Sequence, residues 1–350
     1  MDLQKHDRAQ HEAAADAAPL VSVEGLSRQF DVSAPWLNRV LEGRERAILT
    51  AVSDVSFAIP ARRVYALVGE SGSGKSTIGK IAVGLLAPSG GRVLIDGTDL
   101  YREPSIKRRR AVRQDIQMVF QDPYASLNPR WRVGDIVGEP VRAFGLDWAE
   151  LGWGSGAAAG PGALLEEVGL SARDVDKFPH EFSGGQRQRI CVARALAARP
   201  RFIVCDEPTS ALDVSVQAQV LNLMKDLQAR FGLAYLFISH DLSVVRYMAD
   251  TIGVLYLGRL VEEAPRDRLF AAPRHPYTRM LLDAAPRLDG FGREVEPPQG
   301  EIPDPIDPPA GCAFNPRCPL ADARCRTERP RLLHDAATRV ACHAVEERRA

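Results

Sequence analysis

The sequence carries no excess of charge of either sign. Its 45 lysines and arginines are matched by 45 aspartates and glutamates, so it lacks the basic surplus or stripe that marks a general nucleic-acid binder. The one dense basic run, Lys107-Arg108-Arg109-Arg110, reads as a solvated helix face, with a contact to a partner or to lipid headgroups as the alternative. No apolar run approaches the roughly 18 residues that a membrane-crossing helix needs, which argues against a helical membrane-spanning subunit and makes the cytosol the expected compartment. Residues 1 to 18 are polar and mixed in charge, without the apolar stretch of a secretory signal, and are expected to form a disordered tail over 1–19. Heptads are missing too, so no long coiled coil is expected. Cysteine is scarce, with six in 350 residues, and unevenly placed. Cys191 and Cys205 lie in apolar segments, as inert core residues do. Cys312, Cys318, Cys325 and Cys342 crowd the C-terminal end, where in a reducing cytosol they point to a metal more readily than to disulfides.

Strands are expected at Leu20–Val23, Val52–Ile59, Arg63–Val68, Arg92–Ile95, Ile116–Phe120, Phe202–Cys205 and Ala234–Ile238, and helices at Lys75–Leu86, Arg187–Ala198 and Val214–Phe231. Strands alternating with helices predict an α/β fold with a mostly parallel sheet covered on both faces. Residues 122–182 break that rhythm. Helical periodicity over Val133–Val141 and Leu164–Val168, with a Gly/Ala-rich stretch from Gly152 to Gly162, predicts a helical insertion with a mobile surface loop. After Glu262 the pattern fades into proline-rich text, including Pro297-Pro298, Pro303, Pro305, Pro308 and Pro309, which reads as a linker or an irregular wrapped segment. The final cysteine-containing residues form a small module without an adequate core of its own.

Three segments carry chemistry. Gly69-Glu70-Ser71-Gly72-Ser73-Gly74-Lys75-Ser76 fits the phosphate-loop pattern GxxxxGK[ST] at every position and runs on into Thr77. Its glycines let backbone amides face phosphate oxygens, Lys75 reaches the β and γ phosphates, and the Ser76 hydroxyl can ligate Mg²⁺. Phe202 to Cys205 leads into Asp206 and Glu207. Asp206 is suited to the Mg²⁺ shell and Glu207 to polarising an attacking water as general base. Ser183-Gly184-Gly185-Gln186 opens a helix, and a helix N-terminus with flanking glycines and a hydroxyl is a second phosphate receptor. One chain rarely needs two such receptors for one nucleotide, so a dimer is implied.

With these three segments in this order, residues 20–265 resemble the ATP-binding cassette (ABC) ATPases. The resemblance implies a P-loop NTPase core with an antiparallel β edge subdomain and a helical subdomain over about 122–182. It further implies that Gln121 is the glutamine that touches the Mg²⁺ shell and senses membrane subunits. Ser210-Ala211-Leu212-Asp213 would be the loop that crosses the dimer interface, and His240 the switch histidine on the γ-phosphate. Phe30 fits the adenine-stacking position, with Trp36 as competitor. More narrowly, the chain resembles the ATPases of bacterial oligopeptide, dipeptide and nickel importers, with residues 266–350 as the C-terminal extension of that subfamily. That likeness is carried by Gln121 to Pro129, His180-Glu181-Phe182, Arg274-His275-Pro276-Tyr277-Thr278, and the tail from Gly311-Cys312 to Cys342-His343. Tyr124 is closer to the second of the two nonidentical ATPases in such importers. In that subfamily the four cysteines hold a [4Fe-4S] cluster; their own spacing matches no standard zinc or ferredoxin pattern, and zinc or free thiols stay open.

The function implied is an ATP-hydrolysing subunit on the cytoplasmic face of the bacterial inner membrane, with ATP and Mg²⁺ as ligands. It would be paired with a second, nonidentical ATPase, or with its own copy when isolated. Two membrane permease subunits and an extracytoplasmic solute-binding protein would complete the importer. The rival readings are a soluble ABC ATPase acting on ribosomes or DNA and a redox-responsive regulatory ATPase.

Overall fold

The computed structural model describes residues 18–36, 39, 45–156, 159–284, 300–335 and 337–350. The expected tail up to residue 17, Pro297-Pro298 of the expected linker and residues 157–158 of the Gly/Ala-rich stretch lie outside the described residues. In chain order the strands are β1 Val21–Asp31, β2 Ile48–Ile59, β3 Val64–Val68, β4 Gly90–Ile95, β5 Thr98–Asp99, β6 Ile116–Val119, β7 Phe202–Asp206, β8 Ala234–Ile238, β9 Thr251–Tyr256, β10 Arg259–Pro265, β11 Leu333–Asp335 and β12 Thr338–Val340. The longer helices are α1 Lys75–Ala82, α2 Ile106–Gln114, α3 Val133–Phe144, α4 Pro161–Glu167, α5 Gly184–Leu196, α6 Val214–Phe231, α7 Leu242–Met248, α8 Arg266–Ala271 and α9 Pro276–Ala284. They divide into two compact units that interleave along the sequence. The described residues within 24–56, 64–91 and 237–350 form what we call the phosphate-loop unit; those within 18–23, 57–63 and 92–236 form the helical unit.

In the helical unit β6 and β7 pair in parallel, from Ile116 opposite Phe202 to Val119 opposite Cys205. Every residue of β7 and of β8 is buried. Continuous apolar strands covered on both faces are what a parallel sheet demands. β4 and β5 form an antiparallel hairpin about Asp96-Gly97, both at positive φ, as a tight two-residue turn requires. The helical insertion is present: α3 buries Val133, Ile136, Val137 and Val141, and α4 buries Leu164 and Leu165. Each such side chain contributes about 1.5–3 kcal/mol of burial. Trp153 closes this core, its indole N–H donating to the Ala197 carbonyl at 2.9 Å.

In the phosphate-loop unit β3 pairs in parallel with β9, β9 antiparallel with β10, β10 with β12, and β12 with β11. Here the expectation of a fading pattern after Glu262 is corrected. Ordered helices follow at α8 and α9, and β12 returns to the sheet with Glu262 opposite Val340 and Glu263 opposite Arg339. The Arg339 guanidinium donates to Glu263 at 3.0 Å, and the Tyr65 hydroxyl on β3 donates to the same carboxylate at 2.6 Å. The cysteine-bearing end is tied in by Phe314, whose ring lies 5.3 Å from that of Tyr256 and 5.4 Å from that of Tyr277.

Candidate nucleotide site

The phosphate loop is shaped by close backbone approaches. β3, buried throughout, delivers Gly69 at φ +153°, where a Cβ would lie 2.2 Å from the Leu255 carbonyl oxygen. At Gly74, φ +101°, a Cβ would lie 2.3 Å from the carbonyl oxygen of Ala51. Only glycine tolerates both the conformation and the contact. Gly74 is also the N-cap of α1 and offers no side-chain acceptor to the first turn, so the positive end of the helix faces the loop without a competing cap. Lys75 is 6% exposed. Its ammonium donates to the carbonyls of Gly69 at 2.7 Å and Glu70 at 2.9 Å and to the Ser73 hydroxyl at 3.3 Å, which holds it within the curve of the loop. Ser71 and Gly72 are exposed, Ser73 is buried, and Ser76 and Thr77 are half-buried. Among the other candidates in this unit, His240 is exposed just beyond β8. Phe30 on β1 is half-buried with the Arg28 guanidinium 4.6 Å from its ring centre, whereas Trp36 is 71% exposed.

In the helical unit the register of two parallel strands makes the site. Val119 stands opposite Cys205, and two residues further on the Gln121 amide donates to the Glu207 carboxylate at 2.9 Å. Asp206 is buried at the end of β7, and Glu207 follows at φ +46°, a positive value rare outside glycine. Ser183 caps α5 by a reciprocal pair: its hydroxyl accepts from the Gln186 N–H at 3.4 Å and its own N–H donates to the Gln186 side chain at 3.0 Å. Gly184 is half-buried and Gly185 buried. A Cβ on Gly185 would lie 2.3 Å from a Val216 methyl, so that glycine is what lets α5 approach α6. Asp213, exposed, is the N-cap of α6.

Against known proteins, the sequence profile described as "ABC transporter" matches residues 52–210, and that described as "Oligopeptide/dipeptide transporter, C-terminal region" matches 261–325. A "Probable peptide ABC transporter ATP-binding protein" of Sinorhizobium fredii is 48% identical over 332 residues, 93% of this chain and 89% of the relative. The chain belongs to the ABC transporter family. A "Di/tripeptide transport ATP-binding protein" of Pseudomonas aeruginosa is 44% identical over 331 residues, 94% of this chain and 98% of the relative. The solved dimer of the ATP-binding cassette MJ0796, bound to ADP and phosphate after hydrolysis, superposes with a TM-score of 0.58 at 27% identity, covering 70% of this chain and 98% of that one. This ABC protein is an ATPase coupled to transport, and the ribosome, DNA and redox alternatives are not favoured. Among the described residues no helix is long and apolar enough to cross a membrane, which suits a peripheral subunit.

Of the cysteines of this ABC ATPase, Cys191 and Cys205 are the core residues that their apolar segments suggest. Cys191 and Cys205 are fully buried, and burial pushes both thiols up. Burial likewise raises Cys312, to about 11, with Cys318, Cys325 and Cys342 adding to the shift. Among the described residues, however, no three His, Cys, Asp or Glu side chains are grouped to hold a metal, so the expected cluster finds no support in this arrangement. Two residues that sequence reasoning left without a role reach the phosphate loop. Tyr277 accepts the Glu70 N–H at 2.9 Å, and Arg317 pairs with the Glu70 carboxylate at 2.7 Å. Both lie in segments that stood out as family-like, but no local pattern singled out Arg317 itself.

Proposed function

We propose that this chain energises the import of peptides or a related small solute from the cytoplasmic face of a bacterial inner membrane. It would work with a second, nonidentical ATPase, two permease subunits and an extracytoplasmic solute-binding protein. Support for the cargo comes from the names of relatives that match more than nine tenths of the chain and from the peptide-transporter C-terminal region at 261–325.

The hydrolytic roles follow from donor chemistry. Gly69 to Thr77 receive the phosphates of ATP, with Lys75 against the β and γ oxygens. The hydroxyl of Ser76, the amide oxygen of Gln121 and the carboxylate of Asp206 are hard oxygen donors of the kind Mg²⁺ prefers; Mg²⁺, when bound, would neutralise charge on the phosphate oxygens. Glu207 orients and deprotonates the attacking water, with Gln121 steering its carboxylate. Ser183, Gly184, Gly185 and Gln186 cover the γ-phosphate bound to the facing subunit, Asp213 lies at the dimer interface, His240 contacts the γ-phosphate, and Phe30 stacks on adenine. Closure of the pair excludes water except the nucleophile, and release of phosphate reopens it. The four C-terminal thiols have the chemistry of iron–sulfur ligands but no step depends on them.

The observation that carries the hydrolytic reading is the 2.9 Å hydrogen bond from Gln121 to Glu207 at the ends of paired parallel strands. Glu207→Gln keeps the shape and removes the base. We expect ATP binding to persist while steady-state hydrolysis falls by about 10²–10⁴-fold; near-normal turnover would refute the assignment.

A further inference from the structure

Glu70 places a carboxylate at the second position of a loop that receives anions, where an uncancelled negative charge would repel phosphate oxygens. The charge is cancelled from far along the chain. Arg317 Nη1 donates to one Glu70 oxygen at 2.7 Å and Nη2 to the other at 2.9 Å, the planar two-pronged pairing that only arginine makes. The Arg317 side chain is 2% exposed and that of Glu70 21%, so water screens the pair little. Glu70 further raises the Arg317 pKa, with the Tyr256 hydroxyl assisting. The guanidinium is framed by Tyr256 and Phe314, each ring centre 5.9 Å away. Those rings pack on Tyr277, the residue that takes the Glu70 N–H. Arg317 sits in the helical turn Asn315–Arg317, between Cys312 and Cys318.

We propose that Arg317 is a positioning residue for nucleotide binding. By cancelling and clamping Glu70 it makes the affinity of the phosphate loop for ATP depend on the fold of the C-terminal extension. The inference rests on the reading of Gly69–Thr77 as the ATP phosphate loop. Charge cancellation, not mere anchoring, is the claim, and the two are separable by experiment.

The test uses the full chain and measures ATP affinity by displacement of a fluorescent ATP analogue, with thermal melts as a folding check. Arg317→Ala is expected to weaken ATP binding about tenfold or more, since at an effective dielectric of about 20 even a unit charge roughly 12 Å from a phosphate charge is worth a factor of about ten. Adding Glu70→Gln to Arg317→Ala should restore most of the lost affinity, and the deficit of Arg317→Ala alone should shrink as salt is raised. Unchanged affinity in Arg317→Ala, or a double variant as weak as the single, would overturn the proposal. If Arg317→Ala does not fold, Glu70→Gln decides. It removes the negative charge beside the loop while Arg317 stays in place, so tighter ATP binding supports the proposal and unchanged or weaker binding overturns it. Lys75→Ala separates the two layers. Normal ATP binding in that variant sinks the phosphate-loop reading, whereas lost binding there beside indifferent Arg317 variants sinks only the role of Arg317.

Discussion

Gly72 and Gly74 offer a controlled comparison within one loop. Their φ values are +76° and +101°, so alanine at either position adopts a conformation that costs about 1–2 kcal/mol. Their surroundings differ. A Cβ at Gly72 meets nothing within 4 Å, whereas one at Gly74 lies 2.3 Å from the Ala51 carbonyl oxygen. That oxygen belongs to β2 and cannot swing aside as a side-chain terminus can. To bring the contact out to the 3.0 Å that real Cβ atoms respect, loop or strand must yield by about 0.7 Å. Backbone donors moved by that much fall outside hydrogen-bond distance of phosphate oxygens. Gly72→Ala should therefore weaken ATP binding roughly 5- to 30-fold, the equivalent of its conformational cost, and Gly74→Ala about a further 10²-fold. Both affinities can be read by titration calorimetry, with urea midpoints to confirm that each variant is folded. Equal affinities for the two variants would refute the reasoning, because the contact with Ala51 would then not be what fixes the loop.

Two further outcomes are expected. His275 is 1% exposed and burial lowers its pKa from 6.5 to about 3, with Nδ1 accepting the Tyr277 N–H at 3.0 Å. Between those values the unfolded chain binds the extra proton, so the contribution of the neutral imidazole is fully present above pH 6.5 and falls as pH drops towards 3. The loss reaches about 2 kcal/mol at pH 5. His275→Asn should flatten the fall in urea midpoint between pH 8 and pH 5, and identical pH dependence in the two proteins would exclude the histidine as its source. The cysteine module is decided by composition. After anaerobic purification, iron and acid-labile sulfide near four each per chain would establish a cluster, zinc near one per chain would replace it, and near-absence of all three would leave free thiols.

What was legible in the sequence follows how local each signal is. Val214–Phe231 and Ala234–Ile238 were read to the residue, because a helix stopped by Gly232 in the left-handed region and a wholly apolar strand need nothing beyond their own residues. The helix expected to reach Leu86 ends at Ala82 instead; Gly84 at φ +77° was the stop signal. β1 was read as Leu20–Val23 but runs to Asp31, since its second half alternates weakly and carries Arg28 and Gln29. β5, β9 and β10 were not read as strands, and β11 and β12 were missed altogether. β12 pairs with β10, Val340 opposite Glu262, and no local pattern announces a partner so distant. The site divides in the same way. The glycines of the phosphate loop and of Ser183-Gly184-Gly185-Gln186 are legible because their chemistry demands particular residues at fixed spacing. The Arg317–Glu70 pair is a tertiary contact between an ordinary arginine and an ordinary glutamate.

The same distinction explains why Tyr124 matters more than its exposure suggests. Its ring, 62% exposed, lies 3.9 Å from the guanidinium of Arg187 on α5, and Arg187 is itself fixed by a 2.7 Å bond to the Pro179 carbonyl. Two residues on, the Ser126 carbonyl accepts from Arg194 at 2.6 Å and its hydroxyl lies 3.3 Å from the Cys191 sulfur. Residues 124–126 are thus strapped to the helix that Ser183, Gly184 and Gly185 open. Three residues before Tyr124, Gln121 holds Glu207. Within the helical unit, then, a displacement of this short segment cannot leave both the assigned base and the head of α5 undisturbed. The shared support couples the two, because independent attachments would let Glu207 and the head of α5 respond separately.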